Sequence, residues 1–375
     1  MESRQSPSIV LGVTSAAIFG LGLWGCGGSG VSVAQPTLQS KAALGKALFF
    51  DKSLSAPTGM SCATCHSPNQ GFTDPRPGFP TSQGVVKGLF GFRNAPTAAY
   101  AAYTPVFQQL AGTGAIGGQF WDGRAADLAA QAKLPLLNPI EMANPSAASV
   151  VAAVEKGPFA GALRKFYGAT IFHDVPTAYS AIADAIAEFE KTPAVSPFSS
   201  KYDADLAGTA TLSAGEQSGL AIFNGKGLCF SCHPSTTAPD GTPPLLTDFT
   251  YSNLGLPKNP LNPYYSLPAK FNPLGASFID IGLQTTTGRL TDTGKFKTPT
   301  LRNIAVTGPY FHNGLFSNLA DVVRFYNTRD SGAFGPPEVS ANMETSTVGN
   351  LKLTDQESAD LVSFMQTLTD GYIKP

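Results

Sequence analysis

Cys62-Ala63-Thr64-Cys65-His66 and Cys229-Phe230-Ser231-Cys232-His233 repeat one pattern, a cysteine pair with two residues between them and a histidine directly after the second. In this order two thiols can add across the vinyl groups of a porphyrin while the adjacent imidazole is held over the iron as its proximal ligand. A zinc site would need more clustered ligands, and a disulfide would need no histidine, so neither accounts for the same histidine twice. The pattern predicts two covalently attached haem c groups and occupies four of the five cysteines.

Each motif is approached by the same kind of segment. Lys41 to Phe50 carries Leu44, Leu48 and Phe49 at helical spacing and leads through a Gly/Ser/Pro loop into the first motif. Ser213-Ala214-Gly215-Glu216 reads as a capping box opening a helix with Leu220, Ile222 and Phe223, which ends near Gly225 and Gly227. Each half also closes on a helix. Tyr179 to Glu190 places Ile182, Ile186 and Phe189 on one face, and a segment capped from Thr354 presents Leu361, Phe364, Met365 and Leu368. Strand signals are weak, and Pro257 to Pro273 reads as loop. The expected fold is mainly α: two cytochrome c-like domains, residues 41–200 and 201–375, related by internal duplication and each carrying one haem.

Length and composition agree with a folded, exported protein. The 375 residues are 42% hydrophobic, enough for two buried cores. A formal net charge of −1 leaves no basic stripe for nucleic acid. The 39 glycines and 30 prolines are scattered, as long ordered loops wrapping cofactors require. Ahead of the first helix, Arg4 precedes an uncharged run from Ile9 to Trp24, which reads as a signal peptide over residues 1–25. Leu23-Trp24-Gly25-Cys26 resembles a lipoprotein box, so Cys26 is a lipidation candidate at the head of a flexible linker, residues 26–40. The alternative is ordinary cleavage with Cys26 removed or left as a stray thiol. Either way the expected location is the periplasm, with contact to a membrane limited to a lipid anchor.

Further stretches join the two haem motifs. Trp121-Asp122-Gly123-Arg124, Gln131, Pro135 and Glu141-Met142 lie in the first half. Phe296-Lys297-Thr298-Pro299-Thr300-Leu301-Arg302-Asn303 and Pro309-Tyr310-Phe311-His312-Asn313-Gly314 lie in the second. With these the chain resembles the bacterial di-haem cytochrome c peroxidases and their MauG-like relatives over nearly its whole mature length. The resemblance implies that the His66 haem reacts with hydrogen peroxide, that the His233 haem handles electrons, and that Trp121 stands between them. Peroxide cleavage needs an open iron position and a group that moves a proton between the two oxygens. Glu141 is the candidate for that group, with Gln131 as a polar orienting partner. Beside an apolar haem face its pKa would be raised by desolvation. The plain alternative for Glu141 is a surface carboxylate at a helix end. The resemblance also implies a calcium ion on Asn94, Thr307 and Pro309, an oxygen-only set suited to that cation.

Two departures from the peroxidase type favour the MauG-like branch. Where peroxidases place a second histidine about sixteen residues past the proximal one, this chain has Ser82, so the first haem is expected open without activation. Where they place a methionine fourteen residues past the histidine of Tyr-Phe-His, it has Tyr326, expected as an anionic distal ligand that lowers the potential of the second haem. Taken alone, Tyr326 reads more readily as a buried phenol on the apolar face with Val322, Val323 and Phe325. Met343 is the rival ligand, and His312 is assigned support near the second haem and not ligation. Three readings follow: an enzyme that oxidises Trp or Tyr residues of a partner protein, a peroxidase drawing electrons from a small cytochrome c or cupredoxin, and a non-enzymatic electron carrier.

Overall fold

In the computed structural model, residues 38–76, 78–110 and 114–374 are described. The expected signal peptide, most of the linker and Cys26 lie outside them. Eleven α segments are found among the described residues. They are α1 (Lys41–Phe49), α2 (Cys62–Cys65), α3 (Leu128–Leu137), α4 (Ala147–Lys156), α5 (Ala160–Tyr167), α6 (Val175–Glu190), α7 (Lys201–Leu206), α8 (Ala214–Asn224), α9 (Gln284–Thr287), α10 (Leu319–Thr328) and α11 (Asp355–Gln366). The strands pair as two short antiparallel ribbons, β1 (Gln108–Leu110) with β2 (Gly114–Ile116) and β3 (Tyr251–Ser252) with β4 (Phe296–Lys297). The fold is mainly helical, as the apolar periodicity predicts. None of the described helices is long and apolar enough to cross a membrane.

Two large apolar clusters carry the packing. One gathers Leu44, Leu48, Phe49, Val150, Leu163, Ile182, Ile186 and Phe189 around α6. The other gathers Tyr202, Ile222, Phe223, Leu319, Val323, Leu361 and Phe364 around α8 and α11. In each, the helix preceding the haem motif crosses the closing helix through a glycine. A Cβ on Gly45 of α1 would lie 1.7 Å from the Ala185 carbonyl oxygen of α6, and one on Gly219 of α8 would lie 2.0 Å from the Asp360 oxygen of α11. Any side chain at either crossing would force the helices apart and open the core behind them.

The capping boxes form as expected, Ser213 with Glu216 on α8 and Thr354 with Glu357 on α11. α6 begins earlier than its apolar period indicates. Asp174 caps it by accepting from the Thr177 amide at 2.9 Å, and Pro176 sits in the first turn, where its missing N–H costs nothing. That turn carries exposed Pro176 and Thr177, so no hydrophobic repeat reports it.

Candidate functional site

The proximal halves of the two sites share one construction. His66 Nδ1 lies 3.1 Å from the Phe72 carbonyl oxygen, and His233 Nδ1 lies 2.7 Å from that of Leu246. A backbone acceptor at Nδ1 fixes the ring and leaves Nε2 free as a ligand, the usual outer-shell device at a metal-bound histidine. Burial pushes both imidazoles below their ordinary pKa and so favours the neutral, ligating form. Cys62, Cys65, Cys229 and Cys232 are unpaired thiols beside them.

Each motif opens on a cavity, one at His66 and one at His233. Phe49, Met60, Leu128, Leu136 and Ile186 line the first, and Phe223, Leu256, Leu319, Val323 and Leu361 line the second. Two thiols, a tethered imidazole and a mainly apolar chamber in each half fit a covalently held haem. The fit extends to buried polar atoms left without a partner: Ser82 Oγ and Glu190 Oε2 at the first cavity, His312 Nε2 at the second.

The distal side of the first cavity is built by α3 and the turn after it. Asp127 caps α3, Gln131 projects from its middle, and Pro135 removes the one N–H that would reach the Gln131 carbonyl while the helix runs on to Leu137. The chain then closes on itself: Glu141 N donates to Asn138 O at 3.0 Å and Met142 N to Pro135 O at 3.2 Å. Val85 N donates to Glu141 O at 2.8 Å, and Gly84 presses so close that a Cβ there would lie 1.6 Å from the Ile140 oxygen. The Glu141 side chain, with Oε1 accepting from Asn138 Nδ2 at 2.7 Å, is thus held from two sides and reaches the cavity that His66 and Gln131 also line. Burial raises its pKa, with Arg124 and the Asn138 hydrogen bond acting in the opposite sense. Ser82 also lines this cavity.

Tyr326, from α10, lines the second cavity with Cys229, Cys232 and His233. Its ring lies among aromatics, 6.1 Å from Phe311 and 6.3 Å from Phe325 between centroids. Burial pushes the phenol well above its ordinary pKa. Met343 is elsewhere: it packs over Gly255, where a Cβ would lie 2.3 Å from its sulfur, and it does not line the cavity. His312 lines the cavity as a flat ring stacked on Phe296, 3.5 Å between centroids and 8° from parallel, and burial pushes its pKa down to about 4.

Trp121 lines both cavities. Its indole Nε1 donates to Asn94 O at 2.9 Å in the first half, and its own carbonyl accepts from Lys297 N at 2.8 Å in the second. Asn94, Thr307 and Pro309 meet around a smaller cavity between them, where the Asn94 amide contacts the Pro309 carbonyl. Sequence reasoning missed the charges stitched behind Trp121. Arg93 forks onto Asp280 with two bonds of 2.7 Å and pairs with Asp122 at 2.7 Å, all three buried. Single charged residues spread from position 93 to 280 carry no local signal.

Two chambers of this construction, joined through one buried tryptophan, define a di-haem c-type oxidoreductase. The chain belongs to the di-haem cytochrome c peroxidase and MauG family. The family model "Di-haem cytochrome c peroxidase" matches residues 39–211. Methylamine utilization protein MauG of Paracoccus denitrificans is 38% identical over 91% of this chain and 92% of its own length. Cytochrome c peroxidase Ccp of Escherichia coli K12 is 35% identical over 90% of this chain and 60% of its own. The solved diheme peroxidase BthA of Burkholderia thailandensis superposes with a TM-score of 0.77 at 34% identity, over 88% of this chain and 86% of that one.

Proposed function

We propose that this protein uses hydrogen peroxide at the His66 site and draws the electrons for its reduction, through the His233 site, from residues of a partner protein. The observation that carries this reading is Tyr326 facing the second cavity while Met343 packs away from it. A buried phenol stays protonated by itself; as an iron ligand it would be the anionic donor that favours the oxidised metal. The haems supply an iron position for peroxide and a store for electrons, as the family implies.

The chain's own residues do the rest. Glu141 would take a proton from one peroxide oxygen and hand it to the other, an exchange that a positioned acid/base group accelerates by about 10²–10⁴-fold. Asn138 fixes the carboxyl, and Gln131 offers an amide to the same space. Trp121 conducts between the halves. Asn94, Thr307 and Pro309 would hold a calcium ion, whose oxygen ligation would tie loops of both halves together. The functional division follows the two cores, residues 41–200 around the peroxide site and 201–375 around the electron site. The working protein is placed in the periplasm, anchored by lipid at Cys26.

A second reading, a peroxidase fed by a small cytochrome c or cupredoxin, is favoured by the likeness to the diheme peroxidase BthA. Peroxide consumption by the fully loaded ferric protein, with reduced small cytochrome c as donor, separates the two. The proposal expects negligible turnover while one equivalent of peroxide still oxidises the haems; rapid turnover would replace it by the second reading. In Trp121→Phe both haems should load but fail to share oxidising equivalents, seen as loss of spectral coupling after peroxide. Coupling that persists would remove Trp121 from the route.

A further inference from the structure

The first cavity holds a second carboxyl group that the peroxide reaction does not use. Glu190 is the last residue of α6, 5% exposed, and its Oε2 has no hydrogen-bond partner. It lines the same cavity as Glu141 but stands on a different element. Around it the first apolar cluster supplies Phe49 from α1, Ala98 from the segment after Asn94, and Ile186 from its own helix.

Three features of this setting keep a proton on Glu190. Burial disfavours the anion and pushes the carboxyl up to about 8. The helix C-terminus presents partial negative charge to it. No cation offsets the burial of Glu190, and its chain neighbour Lys191 pairs with Glu188 at 2.7 Å. From the haem motif, Cys62 is the titratable neighbour, near enough for a Glu190 charge to raise its thiol. Thioether formation removes that titration. Glu141 responds to Arg124 and Asn138 instead. With the Cys62 titration removed, the changing charge left to act on Glu190 from the haem motif is that of the haem itself.

We infer that Glu190 is the redox-linked proton site of the first cavity, protonated when the haem there is reduced and ionised when it is oxidised. The balance is one electron for one proton. An oxidant, an electrode or the second site, removes one electron, and Glu190 releases one proton to solvent, so the net charge of the cavity is unchanged. In an apolar chamber an uncompensated positive charge is costly, and ionisation of one buried acid removes that cost.

The test is redox-difference infrared spectroscopy of the fully loaded protein, with potential titrations over a range of pH. Oxidation of the first haem should erase the carbonyl stretch of a protonated, unbonded carboxylic acid. That change should be absent in Glu190→Gln and present in Glu141→Gln. In Glu190→Gln the fall of the first haem's potential with rising pH should flatten around pH 8, the second haem's potential staying as it was. An unaltered carbonyl signal or an unaltered slope in Glu190→Gln would overturn the inference. The inference rests on the first cavity holding a haem, and the visible spectrum of the variant reports that loading separately from the infrared result.

Discussion

The two haem motifs sit in cavities that are alike on one side and unlike on the other. On the proximal side each histidine is tethered by a backbone carbonyl, Phe72 or Leu246, and backed by a glycine-mediated helix crossing. On the distal side the first cavity meets a proline-containing helix and a tight turn that present Gln131 and Glu141, whereas the second meets α10 and the phenol of Tyr326. The shared side fits attachment of the same cofactor in both halves, and on the proposed function the differing element is what suits one cavity to a small oxidant and the other to an oxidised iron.

The comparison breaks most completely at the thiols. Replacing Cys62 and Cys65 by serine should leave one covalent haem per chain and remove the peroxide-reactive signal; replacing Cys229 and Cys232 should keep that signal and remove the other. Haem count and absorption spectrum read both. Next in size, Glu141→Gln should slow peroxide cleavage by about 10²–10⁴-fold in rapid-mixing experiments and leave both haem spectra as they were. Unchanged reactivity would end the acid/base assignment.

Tyr326→Met should raise the potential of the second haem, within the span of about 0.8 V that axial ligands command, and leave the first unmoved. A potential that does not rise would return Tyr326 to a packing role. The smallest effect is expected at Asn138→Ala. The lost hydrogen bond is worth roughly 1 kcal/mol and lowers the Glu141 pKa, so its removal raises a value that burial has already raised. Because the raised carboxyl keeps its proton to higher pH, the pH profile of peroxide cleavage should move to higher pH, by less than one unit. A profile that stays in place would show that Asn138 only shapes the turn.

Much of this was legible in the chain. The two motifs declare two attachment sites because covalent haem chemistry demands fixed neighbours in sequence. The capping boxes at Ser213 and Thr354 and the apolar repeats of α1, α6, α8 and α11 follow from helical periodicity, a local rule. The first turn of α6 was hidden because exposed Pro176 and Thr177 interrupt the apolar repeat there.

Sequence by itself determined what depends on residues close together along the chain: the thioether sites with their histidines, and the helices that pack behind them. The tertiary structure decided what depends on which side chains share a chamber. It brought Tyr326 and not Met343 to the second cavity, joined Arg93 to Asp122 and Asp280, and set Glu190 in the first cavity without a partner. Burial and charge pairing act through space, and a group acquires its environment only when distant segments close around it.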